Sequence, residues 1–110
     1  MKDFENTIDL IICECEHWLK MCDIAENDYD IGYFGARAIV DENIIKKYKK
    51  REVCSMEELS TYLLSKYKEE QGYKKEYIDE NNCESEKIQG FIDEHFFLLN
   101  LINQGPFKTE

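Results

Sequence analysis

The stretch FENTIDLIICECEHWLKMC, residues 4–22, decides how the rest of the chain is read. Phe4, Ile8, Ile11, Cys15, Trp18 and Cys22 follow one another at alternating spacings of four and three, widened by Ile12 and Leu19. That is the period of an amphipathic helix with one face in a core. Glu5, Asp9, Glu16 and Asp23 gather on a stripe well away from this face, and Lys20 is placed to pair with Glu16 one turn back. Nine of the first thirty residues are acidic and two are lysines. Glu26, Asp28 and Asp30 carry the acid into a polar connection, where it also suits the dipole at the start of a second helix.

The same period recurs three more times. Residues 30–51 place Ile31, Phe34, Ala38, Ile45 and Tyr48 in one direction and Tyr33, Ala36, Val40 and Ile44 in another, so this helix is expected to pack on two sides. Gly32, Gly35, Ala36 and Ala38 keep its first half thin and invite close approach of a neighbouring backbone. Arg37 and Asp41 stand one turn apart and are expected to pair. Ser55 and Glu58 form a capping box that opens a third helix over 56–71, lined by Met56, Leu59, Leu63 and Tyr67 and ending near Gly72. Residues 73–80 read as a short extra helical turn before Asn81 and Asn82. A last helix over 84–103 carries Ile88, Ile92, His95, Leu99 and Ile102 in its seam, with Gly105 and Pro106 as its stop. With the first helix at 4–24, the expectation is an all-α, compact single-domain bundle of about four helices. It spans 1–110 with a short tail at 104–110, and its short connections favour antiparallel neighbours.

Composition agrees with a folded helical domain: 43% apolar, 35% charged, 13% aromatic and one proline in 110 residues. Five cysteines, an odd number outside any paired motif, imply free thiols and a reduced, cytoplasmic setting. No apolar run approaches a membrane span, and the acidic first twenty-two residues do not read as a signal peptide. Twelve lysines against two arginines, with only three alanines, suggest an AT-rich coding genome of the kind common in bacteria and phages.

Local motifs for chemistry are sparse. Cys13 and His17 are one turn apart, but two ligands do not make a zinc site, and no metal or cofactor is expected. His95 lies mid-seam and reads as a core histidine bonded to a backbone carbonyl or a carboxylate. Asp23–Asp30 lacks the calcium-loop pattern. Lys46, Lys47, Lys49, Lys50 and Arg51 form a basic run that reads as a solvated helix end. A net charge of −10 opposes direct nucleic-acid binding. No nucleophile, base and anion-stabilising group converge, so an enzyme is not expected.

What remains is a surface. The reading is a small acidic protein-binding inhibitor, of the type of toxin immunity proteins and phage anti-defence inhibitors. Its stripe of Glu5, Asp9, Glu16, Asp23, Glu26, Asp28 and Asp30 would occupy a basic, nucleic-acid-binding surface of a partner protein. Phe97, Leu101, Tyr29 and Tyr33 are candidates for an apolar anchor or a dimer face. The alternative is a homo-oligomeric helical scaffold or regulatory adaptor paired through Phe97 and Leu101 on the outer side of the last helix.

Overall fold

The computed structural model describes residues 3–77 and 83–102, which form four helices: α1 (Phe4–Ile24), α2 (Asp28–Lys49), α3 (Met56–Tyr77) and α4 (Cys83–Leu101). There is no strand among the described residues. The Asp3 side chain caps α1 by accepting from the Asn6 amide at 2.8 Å. Asn27 does the same for α2 through the Asp30 amide, which moves that helix start from the expected residue 30 back to Asp28. The expected capping box opens α3. The Glu58 amide donates to Ser55 Oγ, while the Glu58 carboxylate turns back onto the Cys54 amide.

Further boundaries depart from the sequence reading, among them those of α4, which runs Cys83–Leu101 where 84–103 is expected. α2 stops at Lys49 and not at Arg51, because Arg51 adopts φ 63° and the Glu52 amide reaches back to the Lys47 carbonyl. This left-handed closure usually falls to glycine, so the sequence carries no glycine to announce it. α3 runs through Gly72 to Tyr77; an added Cβ at Gly72 would meet nothing within 4 Å, and a solvent-facing glycine weakens a helix without ending it. Residues 73–77 thus continue α3, while 78–80, Asn81, Asn82, Asn103 and the stop and tail at 104–110 lie outside the described residues.

Side-chain pairs fix the helix directions. Phe4 meets Tyr48, Cys15 meets Ala38 and Trp18 meets Phe34, so α1 and α2 run antiparallel. Tyr67 meets Phe96 and Glu70 meets His95, so α3 and α4 also run antiparallel. α2 and α4, however, advance together, with Gly90 against Tyr33 and Ala36 and then Glu94 against Arg37. This parallel contact is extensive, and the main packing runs in the order α1, α2, α4, α3. The two faces expected of α2 are both used, Phe34, Ala38 and Tyr48 against α1 and Tyr33 and Ala36 against α4.

Small residues make the parallel contact close. A Cβ at Gly90 would lie 2.5 Å from the Tyr33 carbonyl oxygen and 2.9 Å from the Ala36 Cβ, so the position admits only glycine without a shift. Gly35, by contrast, would have ordinary contact with the Cys22 sulfur at 3.7 Å. The core clusters Ile8, Ile11, Ile44, Leu59, Leu63, Leu98 and Leu99, all nearly or fully shut off from solvent. Truncating one of these leucines costs about 2–5 kcal/mol in a core of this kind. No helix among the described residues is long and apolar enough to cross a membrane.

Candidate functional site

Where α1, α2 and α4 meet, each contributes a carboxylate at a position its own period assigns to the interior. Glu14 lies between Ile11 and Trp18, Asp41 between Ala38 and Ile44, and Glu94 between Phe91 and Leu98. Asp41 and Glu94 are 0% exposed, and Glu14 is half-buried. One oxygen from each, taken together, forms a group within 4.8 Å, the only such three-ligand group of His, Cys, Asp and Glu among the described residues.

The groups around this trio hold two of its members. Arg37 Nε donates to Glu94 Oε1 at 2.8 Å, and its guanidinium lies 4.2 Å from the Trp18 ring centroid. The Trp18 indole N–H donates to Glu14 Oε1 at 2.8 Å. Arg37 also donates to the Tyr33 hydroxyl at 3.0 Å, which in turn donates to Asp93, itself held by Gln89. The expected Arg37–Asp41 pair is therefore not formed. Arg37 turns to Glu94 because α4 packs directly on this side of α2.

Asp41 is left with no donor from any other kind of residue: with the acids ionised, neither of its oxygens, nor Oε2 of Glu94, has a hydrogen-bond partner, and only a proton carried by one of the two acids can join them. Ionised carboxylates only accept, so the cluster is relieved either by a proton shared between acids or by a cation. Burial, and then the hydrogen bond and repulsion from Glu94, push the Asp41 carboxyl up to about 10, with Arg37 opposing. Burial also raises Glu94, against the hydrogen bonds it receives from Asp41 and Arg37. The proton the two acids share therefore belongs to Asp41, since Glu94 is the one that accepts from Arg37. Burial and, secondly, Asp41 push the nearby Cys15 thiol up to about 11, so it is no nucleophile.

A second buried polar pair joins α3 to α4. His95 Nδ1 lies 2.6 Å from Glu70 Oε1 and 2.8 Å from the Phe91 carbonyl, and both neighbours accept, so this nitrogen carries the proton. His95 is the core histidine the sequence reading expected.

The acidic stripe lies outside. Glu5, Asp9, Glu16, Asp23, Glu26, Asp28 and Asp30 are all exposed, and none takes part in a salt bridge among the described residues, so the expected Glu16–Lys20 pair is absent there. Glu5 accepts from the Tyr48 hydroxyl, and Asp30 from Asn27. Of the four apolar candidates, Tyr29 and Phe97 are exposed, Leu101 is half-buried against the core and Tyr33 is committed to Asp93. Ile24, 69% exposed, and Ile31 join Tyr29 around the α1–α2 corner, which periodicity alone did not single out. Cys13 and His17 are both exposed, and the basic run ends α2 with Lys47 paired to Glu52.

Glu14, Glu94 and Trp18 do not stand out as a site in the sequence because no local cluster holds all three; Glu14 and Glu94 are eighty positions apart. The available signal was an acid standing at core spacing in three different helices. No protein-family model matches the chain, and comparison with curated proteins and with solved structures finds no significant match either.

Proposed function

We propose that the protein acts by binding: the outer face of α1 and the α1–α2 corner occupy a basic, nucleic-acid-binding surface of a partner protein and exclude its nucleic acid. The observation that carries this reading is the pairing of seven exposed carboxylates, free of salt bridges among the described residues, with exposed Ile24, Tyr29 and Ile31 at the same corner. Carboxylates steer a cationic surface into place, and apolar side chains at the corner supply the contact area that charge alone does not. Exposed apolar side chains scattered singly are ordinary, but Ile24, Tyr29 and Ile31 gather at one corner rimmed by acids, which suits a docking surface. The alternative, a homo-oligomeric scaffold paired through the outer side of α4, rests on Phe97 alone, since Leu101 packs onto the core.

The test is capture of partners from the native host at low salt, followed by a high-salt wash. A basic nucleic-acid-binding protein that leaves in the wash, and that fails to bind after charge reversal at Asp9 and Glu16, supports the reading. Capture unchanged by those substitutions removes its basis. Light scattering at two ionic strengths separates the alternative, which requires a dimer resistant to salt.

A further inference from the structure

We propose that Glu14, Asp41 and Glu94 form a binding site for a small divalent cation of the Mn²⁺ or Mg²⁺ class, buried between α1, α2 and α4. The acids alone do not carry this; the state of Asp41 does. A fully buried aspartate whose two oxygens receive no donor from any other residue, grouped with two further carboxylates, is a costly arrangement that only a proton on the acids themselves or a cation relieves.

The geometry fits an ion of this size. Around an octahedral ion bound at about 2.1 Å, neighbouring oxygens are about 3.0 Å apart and opposite ones about 4.2 Å; the three donor atoms lie within 4.8 Å of one another, so the trio spans little more than such an oxygen shell and closes slightly to hold the ion. The charge fits as well: three carboxylates with Arg37 beside them sum to −2, which a divalent ion cancels. An all-carboxylate set with no imidazole or thiolate selects hard cations. Three protein oxygens on rigid helices suit an ion that keeps several waters better than calcium, which takes six to eight oxygens in more flexible surroundings.

The outer partners are those of a metal site. The Trp18 indole holds Glu14 Oε1 and Arg37 holds Glu94 Oε1, which fixes each carboxylate while leaving its second oxygen free to ligate. Glu14, half-buried, is the side from which an ion enters. In the absence of the ion the same oxygens share a proton, so proton and cation compete for one place.

Trp18 is the chain's only tryptophan and touches a proposed ligand, so its fluorescence reports on the site. The full chain, freed of metal with a chelator, is titrated with Mn²⁺ near neutral pH while Trp18 emission and the electron paramagnetic resonance of free Mn²⁺ are followed. The expected result is saturable quenching at one ion per chain, reversed by chelator and competed by Mg²⁺. Asp41→Asn, which preserves volume, weakens binding at least about tenfold, and so does Glu14→Gln at its half-exposed position, while Asp9→Asn changes nothing. Circular dichroism establishes that each variant is folded, and the Glu14 variant keeps the test decisive should the Asp41 variant unfold. Absence of saturable binding up to millimolar Mn²⁺ overturns the proposal and assigns the trio to proton sharing alone. Binding that survives both substitutions also overturns it, because the ion then sits on the exposed acid.

Discussion

The outer and inner sides of α1 carry the same chemical group in opposite circumstances. Asp9 and Glu16 face solvent, where their charge is hydrated, screened by salt and nearly without effect on stability. Glu14, between them in sequence, turns inward to meet Asp41 and Glu94, where charge must be neutralised by a partner, a proton or an ion. The net charge of −10 is therefore two populations of acid. The outer one is available for steering a partner; the inner one ties three helices together around Arg37.

The largest effect in breaking this contrast is expected from Arg37→Ala. It strips the fully buried Glu94 of its cation and the Tyr33 hydroxyl of a donor, and should cost about 3–5 kcal/mol in chemical denaturation. Next comes Gly90→Ala, whose methyl group meets the Tyr33 carbonyl at 2.5 Å. It should cost about 1–3 kcal/mol and loosen the α2–α4 contact that holds Glu94 against Arg37. Trp18→Phe keeps an aromatic surface beneath Arg37 but removes the indole donor to Glu14, for an expected loss of about 1 kcal/mol. At the small end, Glu16→Lys on the outer face should stay within about 0.5 kcal/mol of wild type in the same assay, even if it abolishes partner binding.

Much of the fold was legible because burial follows period. The seam from Phe4 to Cys22 placed α1, whose expected range of 4–24 is the one observed, and the two apolar directions of α2 face the two helices that flank it. Helix ends were less legible where backbone geometry overrode residue type, as at Arg51, which holds a left-handed conformation without being glycine. The parallel packing of α2 on α4 was not legible either. Periodicity says which face is buried but not against what, and the small residues on α2 gained their meaning only opposite Gly90. The same gap explains the site. Arg37 was assigned the acid nearest in sequence, Asp41, but the acid nearest in space is Glu94, fifty-seven residues away.

The claim that the inner acid differs in kind from the outer acid is tested most directly by comparing Asp41→Asn with Asp9→Asn in equilibrium unfolding across pH, with chelator present. Asp41 is raised from 3.8 to about 10 in the folded state. Between those values the folded chain holds a proton that the unfolded chain has lost. Its contribution is therefore complete below about pH 4 and lost progressively as pH rises towards 10. One such proton is worth at most about 1.4 kcal/mol per pH unit. The account predicts that Asp41→Asn gains on wild type steadily between pH 6 and pH 9, while Asp9→Asn tracks wild type to within about 0.5 kcal/mol throughout. Two variants with the same pH profile would contradict it.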